Sequence, residues 1–239
     1  MIFAAILAGG IGSRMGNNEK PKQFLSLGNK PILIHTIEKF SLFNNFEKIL
    51  VLTPKDYISH TNDLIDKHIE NNEKIIVLEG GNLRNDTIMN GISYIKENFN
   101  IDDESLIVTH DAVRPFLTYK IIEDNITFAK KYGACDTVIP ATDTIVEADG
   151  GKVSAIPKRD NLYQGQTPQS FKINKLDSLY NNLSLDEKNS LTDACKIFVL
   201  NNEDVYLVDG DETNIKITHP YDLQVANVIL NETVLNNDK

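Results

Sequence analysis

The stretch IFAAILAGGIGSRMG, residues 2–16, is an apolar run followed by a loop that contains four glycines and an arginine. A short apolar run that ends at glycine is typical of a buried strand in a parallel sheet. Bare backbone N–H groups beside a positive side chain can bind phosphate, although many glycine-rich loops are only turns. The stretch therefore predicts a strand that carries its loop to the ligand-binding edge of an α/β sheet.

Apolar runs alternate with helical patterns along the rest of the chain. This alternation predicts an α/β fold, a Rossmann-like and mostly parallel sheet with helices on both faces. The expected strands are Ile2–Leu7, Lys48–Thr53, Lys74–Leu78, Ser105–Thr109, Thr137–Ala141 and Val205–Val208. The expected helices begin near Pro31, Tyr57, Asp86, Tyr119 and Pro220, and Ser184 to Glu187 has the pattern of a capping box.

The alternation stops after Ala141. Residues 143–160 contain two β-rich pieces around Asp149-Gly150-Gly151 and no helical pattern, which predicts a projecting β-arm. A two-stranded ribbon is marginally stable in water, so we expect this β-arm to pack on a second copy of the chain. With no linker in the sequence, we expect one domain over residues 1–232 and a polar C-terminal tail over residues 233–239.

The composition of the chain limits which binding partners and which cellular compartment we expect. The formal net charge of −10 over 239 residues opposes a nucleic-acid or anionic-membrane partner. Cys135 and Cys195 are isolated in the sequence, as is usual for buried structural thiols of the reducing cytoplasm. The chain has no basic leader and no apolar segment of about eighteen residues, so we expect a cytoplasmic protein without a membrane partner.

Arginine is rare in this chain and lies only in loops with motif-like sequences. Of 24 basic residues, four are arginines: Arg14, Arg84, Arg114 and Arg159. A guanidinium binds phosphate through paired hydrogen bonds, whereas a lysine ammonium is a mobile point charge. The distribution therefore suggests anion-binding loops, although chance and a lysine-favouring codon usage would also produce it.

The first glycine loop does not match the common nucleotide-binding patterns. Met15 stands where a dinucleotide fingerprint needs its third glycine, and no Gly-Lys-Ser/Thr of a Walker loop occurs. Two features favour a loop that binds a polyphosphate: the positive side chain of Arg14, and Pro21, which stiffens the chain before Lys22 in the Pro21-Lys22-Gln23 step.

Two further loops follow expected strands. The first of them, residues 79–87 with the sequence EGGNLRNDT, either caps the next helix or binds a base and ribose. THDAVRPF, residues 109–116, places Asp111 at a strand end, where it could bind Mg²⁺ or pair with Arg114. His110 has no serine, cysteine or second histidine as a partner in the sequence, so we expect a structural role.

Residues 214–218 alternate in polarity, which predicts a short strand with Lys216 on its polar side beside Asn214 and Thr218. A lysine in such a pattern is usually solvated.

Five motifs together resemble one family over nearly the whole chain. AGGIGSRMG with PKQF, GGNLRNDT, HDAVRP, QTPQSF, and NIKIT with DL occur in the order found in the cytidylyltransferases that make CDP-activated polyol phosphates. Two branches of that family are candidates: the methylerythritol-phosphate enzyme of isoprenoid synthesis, and the ribitol-5-phosphate enzyme of cell-wall (teichoic acid) or capsule polymers. Leu7-Ala-Gly-Gly, Val113, LYQGQTPQSF and Ala194 in LTDACKIF are more similar to the ribitol branch.

The resemblance implies CTP and a polyol phosphate as substrates, Mg²⁺ as cofactor, a homodimer, and an associated polyol-phosphate dehydrogenase as a further candidate partner. It implies Arg14 and Lys22 as the catalytic residues. It places CTP against Leu7, Ala8, Gly9, Gly10, Gly12, Gly81, Asn82, Arg84 and Thr87. It places the polyol phosphate against Asp111, Thr144, Arg159 and Lys216, with Asp111 also the metal ligand and Arg159 acting in the partner's site.

Two other classes of protein are alternatives. A nucleotide-sensing domain would keep the glycine loops, but it would not need Arg14, Lys22, Asp111 and Lys216 together. An NAD-dependent oxidoreductase would fit the sheet, but the chain lacks its fingerprint.

Overall fold

The described part of the chain comprises residues 1–10 and 21–237 of this computed structural model, with side chains up to Glu232. The strands are β1 (Ile2–Leu7), β2 (Ser26–Leu27), β3 (Lys30–Pro31), β4 (Lys48–Thr53), β5 (Ile75–Glu79), β6 (Leu106–Asp111), β7 (Ala134–Pro140), β8 (Glu147–Asp149), β9 (Lys152–Ala155), β10 (Tyr163–Lys172) and β11 (Tyr206–Asp209). The helices are α1 (Ile32–Ser41), α2 (Ile58–His68), α3 (Arg84–Asn98), α4 (Tyr119–Tyr132), α5 (Ile173–Asn182), α6 (Leu185–Asn189), α7 (Cys195–Leu200) and α8 (Pro220–Asn237).

The main sheet has seven strands in the order β11-β7-β10-β6-β1-β4-β5. Only β10 runs antiparallel to its neighbours within this sheet, so the predicted mostly parallel sheet is confirmed. The six predicted strands are present with ends shifted by up to three residues. Strand β10 was not predicted, because its sequence YQGQTPQSFK has the composition of a polar loop.

Helices cover both faces of the sheet, as predicted. Along β1, Ala4 and Ile6 point into a core shared with α1, α2 and α4, whereas Phe3 and Ala5 point into a second core with α3, α5 and α7. This alternation follows from the two-residue period of a strand. Helices α5 and α7 were not predicted. The capping box is confirmed at the start of α6, where the Ser184 hydroxyl accepts from the backbone N–H of Glu187.

A third, smaller core fixes the C-terminal helix. Ala226 of α8 packs with Leu27, Ile32 and Ile217. The predicted strand at residues 214–218 is wrong, because this segment is in no sheet. It is held instead by the burial of Ile217, by the bond from Ile217 N–H to Val113 O at 2.9 Å, and by side-chain bonds at Asn214 and Thr218.

The hairpin predicted at Asp149-Gly150-Gly151 is present. Strands β8 and β9 pair antiparallel, and both glycines have positive φ, which a tight hairpin turn needs. The β-arm, residues 143–160, has exposed apolar side chains, among them Val153 at 60% and Ile156 at 63% of full exposure.

Both cysteines are buried free thiols, as expected for structural residues. Burial raises the pKa of the Cys135 thiol to about 12, which keeps it protonated at neutral pH. No helix within residues 1–10 and 21–237 is long and apolar enough to cross a membrane.

Candidate active site

A cleft opens beyond the carboxyl ends of β1 and β6. Its volume is about 230 Å³. Predicted residues in its lining are Leu7, Ala8, Gly9, Gly10, Lys22, Gly81, Asn82, Arg84, Thr87, Asp111 and Lys216. Gln23, Leu83, Ala112 and Val113 also line it and were not predicted as site residues. Gly12 and Arg14 lie outside the described residues.

Gln23 anchors the start of the glycine loop. Its buried side-chain amide donates to the carbonyl of Ala8 at 2.6 Å, and the N–H of Ala8 in turn donates to Leu52 O at 2.8 Å. Gln23 shares one 3₁₀ turn with Lys22, whose Cε lies 4.0 Å from the position that a Cβ would take on Gly10. The turn therefore holds the lysine beside bare backbone. The signal for Gln23 was its place in the Pro21-Lys22-Gln23 step.

The second loop folds onto the N-terminus of α3. The Gly81 N–H donates to the Thr87 hydroxyl at 3.0 Å, and that hydroxyl donates to Leu83 O at 3.0 Å. A Cβ on Gly81 would lie 2.4 Å from the Cβ of Asp86, so a side chain there requires a backbone shift. The loop both starts the helix and lines the cleft. Helix N-termini carry partial positive charge, which favours an anion in this position.

Asp111 lies among three cations. Its carboxylate is 2.9 Å from Lys216 Nζ, 3.4 Å from Arg84 Nε and 3.7 Å from Arg114 Nε. The ion pair with Arg114 considered from the sequence is therefore present, together with two further pairs. Burial acts to raise the pKa of Asp111, but the charges of Arg84, Lys216 and Arg114 outweigh it and hold that pKa well below its usual range. Asp111 is ionised at neutral pH.

A chain of hydrogen bonds fixes the backbone of Asp111. Its N–H donates to the Thr167 hydroxyl at 3.1 Å, and this hydroxyl lies 2.9 Å from His110 Nδ1. Because the carbonyl of Arg114 can only accept, His110 Nε2 carries the proton and donates to Arg114 O at 3.1 Å. In the neutral ring Nδ1 is then an acceptor, and the Thr167 hydroxyl donates to it. Burial lowers the pKa of His110 to about 4, which keeps the ring neutral. The structural role expected for His110 is confirmed.

Two predicted residues lie away from the cleft within one chain. Thr144 and Arg159 are exposed on the β-arm, and Arg159 Nη1 donates to Thr142 O at 3.1 Å. Neither is in the described lining of the cleft. The predicted set therefore divides into a group gathered around Asp111 and a group carried on the β-arm.

The cleft is compatible with Mg²⁺ that arrives with a phosphate ligand. Asp111 is the single carboxylate in the described lining, and no group of three or more His, Cys, Asp or Glu that could hold a metal occurs in the described parts of the chain. Mg²⁺ usually takes one or two carboxylates and completes its shell with water and substrate phosphates. The donor set fits that arrangement, with Asp111 as the protein ligand.

Asp136 is a second carboxyl with a strongly shifted pKa. It lies on β7 and accepts a hydrogen bond from Gln169 Nε2 at 3.0 Å. Burial is the main cause that raises its pKa to about 6, with a further upward contribution from the charge of Asp193. No sequence pattern indicated this raised pKa, because β10 was not predicted.

We expect Asp136→Asn to stabilise the protein above pH 6. The pKa of Asp136 is higher in the folded state than the unfolded value of about 3.9, so the folded state binds an extra proton between these two pKa values. The stability of the parent therefore falls as the pH rises from about 4 to about 6. Asparagine keeps the acceptor for Gln169 without the charge. The expected gain is roughly 1–3 kcal/mol in urea unfolding at pH 7.5, and it disappears below pH 4.

The exposed residue Asp63 offers a matched control, and Asp63→Asn should have almost no effect at either pH. Parent and variant must be compared at the same pH, because His110 produces the opposite trend as its lowered pKa is passed. Equal stability of the parent and Asp136→Asn at pH 7.5 would show that the Asp136 carboxyl has an ordinary pKa.

The mostly parallel sheet and the cationic, glycine-lined cleft at its carboxyl edge are those of a nucleotidyltransferase. A family model described as IspD, 2-C-methyl-D-erythritol 4-phosphate cytidylyltransferase, matches residues 2–232. The chain belongs to this family of CTP-using cytidylyltransferases, which act on phosphorylated sugar-like substrates. The predicted enzyme class is thereby confirmed.

Solved structures show the same fold. The 4-diphosphocytidyl-2C-methyl-D-erythritol synthase from Anaerococcus prevotii is 28% identical with a TM-score of 0.80, covering 97% of this chain and 96% of its own. The 2-C-methyl-D-erythritol 4-phosphate cytidylyltransferase from Francisella tularensis is 29% identical with a TM-score of 0.77, covering 95% and 98%. The enzyme from Thermus thermophilus, at 22% identity and a TM-score of 0.72, covers 97% and 98% and supports the fold alone.

Proposed function

We propose that this protein transfers a cytidylyl group from CTP to D-ribitol 5-phosphate, giving CDP-ribitol and pyrophosphate for teichoic acid or capsule polymers. The observation that carries the cytidylyl-transfer part is the cleft, which is lined by the cations Lys22, Arg84 and Lys216 and by one carboxylate, in a chain of net charge −10. The choice of ribitol rests on the sequence resemblance, in which Val113 lines the cleft and Ala194 is buried before α7. We place the enzyme in the cytoplasm, with a polyol-phosphate dehydrogenase as a candidate partner.

The second candidate function is cytidylyl transfer to 2-C-methyl-D-erythritol 4-phosphate. It is favoured by the description of the family model and by the names of the relatives that are 28% and 29% identical. Both functions use the same chemistry and differ in the acceptor.

The reaction joins two anions. An oxygen of the acceptor phosphate forms a bond to the α-phosphorus of CTP, and the bond from that phosphorus to the bridging oxygen of the β-phosphate breaks, which releases pyrophosphate. The acceptor phosphate is already ionised, so no general base is needed. The protein must align the reactants and stabilise the added negative charge.

The backbone of Gly9 and Gly10 and the Gly81 loop would hold the triphosphate and nucleoside in the cleft. Lys22, which lies beside Gly10, would provide positive charge to the reacting phosphate, together with Arg14 by resemblance. Lys216 would bind the acceptor phosphate next to Asp111. Asp111 would hold Mg²⁺ with substrate phosphate oxygens, and the ion would add positive charge at the reacting phosphate.

We further propose that the β-arm packs on a second copy and supplies Arg159 and Thr144 to the partner's cleft. The exposed apolar residues Val153 and Ile156 provide a surface for that contact. A shared site also accounts for the placement of Arg159, which is exposed on the β-arm of its own chain.

Mixing two inactive variants tests the shared site. After subunit exchange between Lys22→Ala and Arg159→Ala, each mixed dimer has one site with both defects and one intact site. We expect pyrophosphate release to recover to roughly a quarter of the parental rate, since about half the dimers of a symmetric pair are mixed. Recovery should require exchange and be absent in either variant alone. No recovery, with exchange verified by mass spectrometry, would place Arg159 in the site of its own chain.

The acceptor is tested by Mg²⁺-dependent pyrophosphate release from CTP with ribitol 5-phosphate and methylerythritol phosphate at equal concentrations. We expect a higher kcat/KM for ribitol 5-phosphate. A preference for methylerythritol phosphate would establish the second candidate function. If CTP binds but neither acceptor releases pyrophosphate, the nucleotide-sensing alternative is favoured.

A further inference from the structure

Asn214 is a fully buried amide next to the cleft. Its Nδ2 donates to Thr167 O at 2.9 Å and to Gln166 Oε1 at 3.1 Å, both on β10. Its backbone carbonyl accepts a hydrogen bond from Arg114 Nη1 at 2.7 Å. One residue thus joins the segment 214–218 to β10 and to the loop after β6.

The hydrogen bonds of Asn214 connect it to both members of the ion pair between Lys216 and Asp111. On one side, Lys216 follows Asn214 by two residues and lies 2.9 Å from the Asp111 carboxylate. On the other side, Thr167 accepts from the N–H of Asp111 at 3.1 Å, and Arg114 faces the same carboxylate. Asn214 therefore contacts the groups that fix Asp111 and the backbone that carries Lys216.

Contacts on both sides of Lys216 define the position of this segment. It belongs to no sheet, and Lys216 itself is 43% exposed on a flexible four-carbon stem. A flexible lysine is placed accurately only if its backbone is fixed. On the far side of Lys216, Ile217 is buried and bonded to Val113 O, and the Thr218 N–H donates to the Asp222 carboxylate at 2.7 Å. Asn214 fixes the near side.

The chemistry of Asn214 also favours a specific role. Its Oδ1 is buried and has no hydrogen-bond partner, which is a cost that an apolar residue would avoid. Aspartate would have the same shape, but it would point acceptor oxygens at the acceptors Gln166 Oε1 and Thr167 O. The position therefore needs the two N–H donors of an amide.

We propose that Asn214 is a positioning residue that sets Lys216 against Asp111 for capture of the acceptor phosphate. The catalytic part of this proposal rests on the proposed function, in which Lys216 binds that phosphate.

The first test reads the position of Lys216 directly and needs no substrate. Trace acylation with acetic anhydride, followed by peptide mass spectrometry, measures the reactivity of each lysine in the folded protein. The Asp111 carboxylate, 2.9 Å away, shields Lys216 Nζ from the reagent, so Asn214→Ala should raise the labelling rate of Lys216 severalfold and leave that of the exposed Lys67 unchanged.

The matched control is Asn125→Ala. Asn125 is also a fully buried amide, with bonds to Ile121 O and the Thr137 hydroxyl away from the cleft. It should lower thermal stability much as Asn214→Ala does, without changing the labelling of Lys216. If Asn214→Ala does not fold, Gln166→Met removes one acceptor of the amide at similar volume and should change the labelling in the same direction. Unchanged Lys216 labelling in a folded Asn214 or Gln166 variant would overturn the proposal.

The second test uses the acceptor that the parent turns over. Loss of two hydrogen bonds should raise the KM for the acceptor by about ten- to a hundredfold, with a much smaller change in the KM for CTP. In a Lys216→Ala background, Asn214→Ala should add little, because both changes act on one group. Independent effects in the double variant would show a merely structural role. A parent that turns over no polyol phosphate would refute the proposed function, while the labelling result would still decide the role of Asn214.

Discussion

Replacing Lys22 by alanine is expected to lower turnover by about a hundred- to a thousandfold while the protein remains folded. Lys22 lies in the cleft on a 3₁₀ turn that Gln23 fastens to Ala8, so its charge is already placed when substrates bind. Donors aimed at charge that develops in the transition state have effects of this size. The measurement is kcat for pyrophosphate release at saturating CTP and acceptor.

Lys67→Ala is the matched control, because Lys67 is exposed on α2 and is not in the described lining of the cleft. It should leave kcat unchanged. Lys22→Arg keeps the charge but not its compact shape, so partial activity is expected. A Lys22→Ala variant with normal kcat and a raised KM for CTP would assign Lys22 to ground-state binding instead.

Replacing Asp111 by alanine is expected to remove activity and to lower the free energy of unfolding by about 3–5 kcal/mol. Its side chain is 10% exposed, and its loss leaves Arg84, Arg114 and Lys216 facing one another without a carboxylate. Uncompensated charges of one sign at short range are costly when they are shielded from water. Urea unfolding at low ionic strength measures the loss.

Added pyrophosphate should restore much of that stability, since it binds the cations that Asp111 has left. Asp124→Ala is the control, because it breaks only a surface pair with Lys120 and should cost less than about 1 kcal/mol. An equal loss in the two variants would show that water compensates the cations at Asp111. In the parent, this stabilisation is present above about pH 4 and declines as pH falls toward the lowered pKa of Asp111.

The sequence predicted the parts of the fold that local periodicity determines. Strand β1 is a short apolar run that ends at glycine, and helix α4 has apolar residues at three- and four-residue spacing, so both were placed nearly correctly. Strand β10 was missed because its burial depends on partners elsewhere: Gln169 bonds to Asp136, and Ser170 bonds to Asn125. A polar strand of this kind is stabilised by contacts between distant segments and has no local signal.

The site residues likewise differ in whether local sequence or contacts between distant segments determine their positions. Asp111 and the glycine loops were predicted because a strand end before a polar loop is visible in the sequence. The Pro21-Lys22-Gln23 step indicated Lys22, and the family resemblance added Lys216. The short strand expected around Lys216 was wrong, since Asn214 turns inward to bond with β10. The gathering of Arg84, Arg114 and Lys216 on one carboxylate joins remote parts of the chain. The roles of all the predicted site residues stay predictions.

The ion-paired carboxylate of Asp111 also bears on how the cleft forms. Three cations would repel one another during folding, but Asp111 supplies their counter-charge from within the chain. The binding surface can therefore assemble on a newly made chain before any nucleotide arrives. A phosphate group then binds to cations that are already in place. The repulsion between these like charges is overcome once, during folding, and not again in each catalytic cycle.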